Sequence, residues 1–540
     1  MSEPRSIRHG ACRLFVGVVA GVLTYCAFAD GTTAEAPGNE TRAKELQTAI
    51  DRFDKDEPRS PAALTSRLDY AEFLAQTMGD DCLHRLDYAQ SQLDVVAKNP
   101  IVEVVLPLGP ARIAEIEYRI HVGRASCGGA PSAREQELRE ALDAAQRATV
   151  AYRDALDYRS MVTMQYNVGI TYRTLGMNPE ALMAIESAIE MDREYGFRED
   201  AQDNYRVLLR WKSEPSAADR VAALMRDFPT RSTTMKFAWF ASEADVALEI
   251  DLARALENKV VESRATRTLE RHIRPSAAGW MVSVEPGDTS YDPGVGPNDT
   301  DIVKNVMLLF TRSVLELPDI EVSSNGAFRR VIDADGFSAR QASNAQALMR
   351  SRGAPSDSGS QSVGQFADQA VRAALLPDAI ERKAAEIYNL ETAAWIGARL
   401  EQGVWYEMKA PLSMPGTPRG VVLHSLTFAF THRVPCTPKV ERSCIEIVVH
   451  AAPDEHALDE MLEEVSRAYR LRHVQKLRYS SATYLRIVTD PDTLLPYGLD
   501  MRRYAYLSTG ERGTNGQLIE SEKTVSLSTY RRKDHGGLGS

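Results

Sequence analysis

Gln165-Tyr-Asn-Val168-Gly169-Ile-Thr-Tyr172-Arg-Thr-Leu-Gly176-Met-Asn-Pro179-Glu-Ala181-Leu-Met-Ala-Ile185-Glu-Ser-Ala188 decides how the first half of the chain folds. Its apolar and small residues recur at spacings of three and four, the period of a helix with one buried face. Asn178-Pro179, just after Gly176, stops the run and divides it in two. Gly169 and Ala181 are small enough for the two helices to cross closely, while Tyr172 and Ile185 fill the space beside them.

The same spacing extends outward from about Thr41 to Pro229, with Ala and Leu on one face and Asp, Glu and Arg on the other. Breaks recur at Glu57-Pro58, Met78 to Asp81, Cys127 to Pro131, Asn178-Pro179 and Glu214-Pro215. Segments of this length suit helix pairs with short connections. The first half is expected to be a helical array.

The quoted stretch, Gln165-x-x-Val168-Gly169-x-x-Tyr172, Gly176 and Ala181-x-x-x-Ile185-x-x-Ala188, resembles the 34-residue tetratricopeptide repeat. Ala148-x-x-x-Tyr152-x-x-Ala155 repeats its second helix upstream, and Ala217-x-x-x-Val221 with Pro229 echoes it downstream. The resemblance covers about residues 130–229 and implies a solenoid that binds a protein or peptide partner and carries no chemistry of its own. A generic helical bundle with Ala-rich contacts suits the same spacing.

After Pro229 the period shortens to two. Alternation across Thr233 to Ile250, Ala265 to Ile273 and Trp280 to Val284 reads as half-buried antiparallel strands. Ile320 to Val331 predicts a hairpin, because Asn325-Gly326 suits a turn that needs positive φ. Further strands are expected at Val404 to Met408, Gly420 to Arg433, Ile445 to His450, Leu477 to Val488, Leu499 to Leu507 and Ile519 to Tyr530. Helical patterns interrupt them at Asp301 to Leu315, Phe337 to Arg350, Val363 to Leu400 and Ala457 to Arg470. The expected class is therefore α+β: an all-α helical-repeat domain over residues 30–230, then an α+β domain with a large antiparallel sheet over 231–540. A Ser/Gly-rich run at 351–362 reads as a mobile loop inside it.

Tyr484 to Pro496, with Asp490-x-x-Thr493-x-x-Pro496 between two strands, resembles the strand, turn and strand of secreted half-barrel proteins such as bacterial outer-membrane lipoprotein carriers. That resemblance implies a sheet curved around helices that holds acyl chains or apolar partners.

The first residues read as an export signal. Arg5, Arg8 and Arg13 precede sixteen uncharged residues, Leu14 to Ala29, which close on the small-x-small pattern Ala27-Phe28-Ala29. Sixteen residues fall short of the roughly twenty that span a bilayer, so cleavage after Ala29 is expected, with no transmembrane span in the mature chain. Leu23-Thr24-Tyr25-Cys26 also looks like a lipobox, which would place a lipid on Cys26. Cleavage after Ala29 leaves 511 of 540 residues, and the loss of three Arg and one Glu takes the formal charge from -11 to -13. The protein is expected in the periplasm or outside the cell.

Export makes the cysteines informative. Four of the six remain after cleavage, and one of the three pairings keeps both bridges local: Cys82–Cys127 and Cys436–Cys444. The chain is 44% hydrophobic and 26% charged, an ordinary globular composition. Its negative charge argues against nucleic acid, since neutralising phosphates needs surplus Lys and Arg.

No GxSxG elbow, P-loop, dinucleotide-binding glycine motif or HExxH helix occurs. His424 and His432, eight residues apart on one expected strand, and His450 on the returning strand form the best cluster, with Asp454 close behind. A symmetric hairpin would put Thr431 opposite Val449 and bring His432 within diagonal reach of His450. Imidazole and carboxylate together suit zinc, so these four residues would carry a metal-assisted periplasmic hydrolase. Solvated cross-strand neighbours are the commoner meaning of such pairs. The sequence therefore favours a non-enzymatic envelope protein with no cofactor, one that binds a partner through its repeats and a partner or apolar ligand through its sheet.

Overall fold

The computed structural model describes residues 5–6, 37–56, 60–77, 81–99, 102, 106–214, 217–228, 231–238, 244–256, 261–292, 316–350, 375–413, 421–437, 440–468, 478–508 and 517–532. Apart from Arg5 and Ser6, the export segment lies outside these, as do the expected helix at 301–315 and the loop at 351–362. The chain divides into two compact units, Met1–Thr230 with Gly403–Glu407, and Arg231–Gln402 with Met408–Ser540. The first is helical and the second is built on an antiparallel sheet, so the class is α+β.

In the helical unit the described helices are α1 (Pro37–Asp56), α2 (Pro61–Gln76), α3 (Cys82–Ala97), α4 (Gly109–Ser126), α5 (Pro131–Asp154), α6 (Tyr158–Thr174), α7 (Asn178–Tyr195), α8 (Arg198–Trp211) and α9 (Ala217–Asp227). Pro61 opens α2, three residues after the expected break at Glu57-Pro58, and the Ser60 hydroxyl accepts the Ala63 amide at 3.1 Å. Small residues let the helices approach. Ala141, Ala144, Ala145 and Ala148 of α5, and Ala181 and Ala188 of α7, are fully buried. A Cβ placed on Gly169 would lie 2.8 Å from Ile185 Cδ1, which is why glycine stands there. None of the described helices is long and apolar enough to cross a membrane.

Helix stops recur with positive φ. Gly176 (φ 79°) ends α6, where the Met177 amide bonds the Tyr172 carbonyl at 3.0 Å and the Gly176 amide bonds that of Arg173 at 3.1 Å. Leu156 (φ 62°) after α5 and Ser213 (φ 53°) after α8 make the same pair of bonds without a glycine. The bridge Cys82–Cys127 ties the start of α3 to the residue after α4, with Cα atoms 6.0 Å apart.

The second unit has β1 (Ser232–Thr234), β2 (Ala244–Leu256), β3 (Val261–Ser276), β4 (Gly279–Asp292), β5 (Ile320–Ser323), β6 (Phe328–Val331), α10 (Ala334–Arg350), α11 (Pro377–Glu391), β7 (Arg399–Glu401), β8 (Trp405–Ser413), β9 (Val421–Thr437), β10 (Val440–Pro453), α12 (Glu455–Ala468), β11 (Arg478–Thr489), β12 (Pro496–Ser508) and β13 (Gln517–Arg532). Strands β8, β9, β10, β11, β12, β13, β2, β3, β4, β5 and β6 lie side by side in that order in one sheet, and β1 pairs with β7. The helical pattern expected through Leu400 ends at Glu391. Beyond it Arg399–Glu401 is extended, its Leu400 fully buried opposite Thr233.

The hairpin β5–β6 turns at Asn325-Gly326, where Gly326 has φ 87° and accepts the Tyr388 hydroxyl at 2.9 Å. Asp490 organises the turn from β11 to β12: its carboxylate accepts the Thr493 hydroxyl at 2.7 Å and the Asp492 amide at 3.1 Å. Leu494 and Leu495 seal that turn, both fully buried.

Candidate functional site

Among the polar clusters of the described structure are a buried ion pair in the sheet unit and a groove between two helices of the helical unit. In the sheet, Glu446 of β10 interrupts the run Ile445-Glu-Ile-Val-Val449 and is fully buried. A buried carboxylate needs compensation. Arg486 of β11 donates from Nε to Glu446 Oε2, and the Thr431 hydroxyl donates to Oε1 at 2.9 Å. His432 Nδ1 stands 3.5 Å from the same oxygen. Arg486 faces Asp500 of β12 across the strands, and Arg502 reaches Asp500 at 3.4 Å. Charges of both signs thus run across three strands.

The four residues singled out as a metal cluster do not converge. Val449 pairs with Phe428 and His450 with Thr427, in place of the expected Thr431–Val449 pairing. The hairpin is not symmetric about its bridge, since Cys444 pairs with Val434, two residues from Cys436, and a bulge between Phe430 and Arg433 shifts the register by one more and leaves Thr431 and His432 beside Glu446. His432 is five residues beyond Thr427, about 16 Å along an ideal strand. His450 instead packs its ring on Tyr484 at 4.6 Å, and burial pushes its imidazole down to about 4. His424 is buried, opposite Pro453, and shares a hydrogen bond with the Val422 carbonyl at 2.9 Å. Burial lowers its pKa too. Asp454 caps α12 through the Ala457 amide and pairs with Lys409 at 2.6 Å, and the Lys409 hydrogen bond holds it below the usual carboxylate range. No group of three or more His, Cys, Asp or Glu among the described residues could hold a metal ion.

Cys436 and Cys444 are bridged near this bulge, with Cα atoms 4.9 Å apart. Both are buried with Val488, Tyr388 and Leu495 in one core cluster.

In the helical unit the described feature is a groove of about 440 Å³ between α8 and α9, lined by Arg198, Gln202 and Arg206 on one side and by Val221, Met225 and Arg226 on the other. Sequence reasoning missed it. The arginine and glutamine stripe at 198, 202 and 206 was the available signal, since residues four apart share a helix face. On its other side α8 is held to α7 by Asn204, whose side-chain amide donates to Asp192 Oδ2 at 2.7 Å. Asp192 is fully buried and its Oδ1 has no hydrogen-bond partner. Burial, then the neighbouring Asp200 charge, push this carboxyl up to about 8, so it is mostly protonated at neutral pH.

Fold and sites together define a two-unit α+β protein: a disulfide-linked helical array and an antiparallel sheet with a buried ion pair. No protein-family model matches the chain, and no curated protein matches it. A solved structure of lipovitellin, described by its lipid–protein interactions, aligns with 56% of this chain and 27% of its own length, at a TM-score of 0.24 and 9% identity. A likeness that distant, over about a quarter of lipovitellin, carries no argument about fold or ligand.

Proposed function

We propose that this is an exported, non-enzymatic binding protein of the bacterial envelope, with residues 30–230 as a tetratricopeptide-like partner-binding domain and 231–540 as the second binding domain. The observation that carries this reading is the α8–α9 groove, an open surface groove of about 440 Å³ lined by three arginines. Its support from the sequence is the export segment, the repeat-like spacing and the missing catalytic motifs.

The test uses the full exported chain as bait in envelope extract, beside an Arg206→Glu/Arg226→Glu variant. A partner retained by the first and lost from the second is expected. Equal retention, or none, removes the reading's main support. Export itself is checked by sequencing the mature N-terminus, which should begin at Asp30; a chain that keeps Met1 contradicts cleavage.

For the sheet domain the proposal is a partner or an apolar ligand. The exposed side chains of Leu423, Leu527 and Met281 on its strands supply apolar contact surface in support. Mass spectrometry separates the two: co-purifying lipid selects the ligand.

A further inference from the structure

Among the described residues the α8–α9 groove has three guanidinium groups in its lining and no carboxylate, in a chain of formal charge -11. Each cation is placed differently. Arg198 Nη2 donates to the Met225 carbonyl in the last turn of α9 at 3.0 Å, which anchors that charge at the helix end. Arg206 shares its charge with Asp203 at 2.7 Å. Arg226 makes no hydrogen bond or ion pair among the described residues. Between them, Val221 and Ala222 leave an apolar floor beside the Gln202 amide.

Spacing converts this into a ligand. Arg198 and Arg206 are eight residues apart on α8, about 12 Å at the helical rise. An extended chain covers that distance in about four residues, and its positions i, i+2 and i+4 point the same way. The geometry points to an acidic segment of another protein, with the pattern acid-x-apolar-x-acid, lying extended in the groove. One carboxylate meets Arg206 and the other meets Arg226 at the Arg198 end, where Arg198 holds the carbonyl of the neighbouring Met225, and guanidinium and carboxylate can pair through two hydrogen bonds. The central apolar side chain covers Val221 and Ala222, and Gln202 bonds the segment's backbone. This rests on the helical array being a binding unit and names the chemistry it takes.

The probe is a fluorescent heptapeptide, Ser-Glu-Ser-Leu-Ser-Glu-Ser, titrated with the full chain and read by anisotropy. Saturable binding is expected, weakening as salt is raised. Replacing both Glu by Gln should weaken it by up to about thirtyfold and Arg226→Gln in the protein by up to about fivefold, because one exposed ion pair is worth up to about 1 kcal/mol. Adding Arg206→Gln should weaken it further, with the thermal midpoint unchanged. Equal affinity for the Gln peptide, an unchanged affinity in the double variant, or no saturation at millimolar protein overturns the proposal. So does self-association of the chain that Arg226→Gln abolishes, since the groove would then hold a second copy. If the envelope partner is lost from the Arg206→Glu/Arg226→Glu variant while the peptide fails, only the acidic occupant falls. If both fail, the binding reading falls with it.

Discussion

The helical unit and the sheet unit solve burial with different side chains. Close approach in the array depends on Ala141, Ala144, Ala145, Ala148 and Gly169, which have little or nothing beyond Cβ to order. The sheet packs Ile445, Ile447, Val448, Phe428 and Phe430, and sets the ion pair of Glu446 with Arg486 among them. The array is therefore sensitive to added volume and to how its helices stop. The sheet is sensitive to loss of polar compensation.

Among the described residues each unit has one disulfide, and removing them should separate the units most strongly. The Cys82–Cys127 bridge closes a loop of 45 residues, so Cys82→Ser/Cys127→Ser should cost about 4 kcal/mol by loop entropy. Cys436–Cys444 closes 8, and its loss should cost about 2.5 kcal/mol. Denaturant unfolding with a probe in each unit checks the order; a costlier second bridge would break the comparison.

Next in size is the buried pair. Glu446→Ala should destabilise the sheet unit by about 2 kcal/mol, tempered because the half-exposed Arg486 can turn to water. The array's transition should not move.

The two units also carry buried titratable groups of opposite sense. Asp192, facing Asp200 and Asn204 of α8 and the Arg159 charge of α6, has its pKa raised to about 8 from 3.8. The folded state therefore holds a proton that the unfolded state releases, and this group makes stability fall as pH rises from about 4 to 8. His450, lowered to about 4 from 6.5, works the other way: its contribution is present above 6.5 and lost as pH falls toward 4. Thermal midpoints against pH test both. Asp192→Asn should flatten the first slope and His450→Gln the second, and a slope that survives its own substitution assigns it elsewhere.

The smallest effect concerns the helix stops. Ser213 is an exposed, non-glycine residue at φ 53°, so Ser213→Gly should stabilise the array by about 1 kcal/mol, seen as a higher thermal midpoint. Destabilisation would show that its side chain is needed there.

Much of this was legible because some residues have few structural meanings. Asn325-Gly326 could mark a turn, Glu57-Pro58 and Asn178-Pro179 breaks between helices, and the four cysteines beyond the expected cleavage point two local bridges, since each follows from backbone geometry or short reach. The bulge at Phe430 and Arg433 was not legible: Thr431 and His432 alternate like any strand, and only the partner strand shows that the register slips. Leu156 hid its stop because it is not glycine, whereas Pro215 marked the stop at Ser213. Glu446 read as one polar position in an apolar run, and its partner Arg486 lies forty residues away. The arginine stripe of α8 was visible as spacing, but Arg226 joins it only through the packing of α9.

The central claim is that the array binds another protein through the α8–α9 groove. Its most direct measurement is retention of an envelope partner by the full exported chain against the Arg206→Glu/Arg226→Glu variant, with matched thermal midpoints. Loss of the partner from the variant alone is the predicted result. Equal retention by both chains would contradict it.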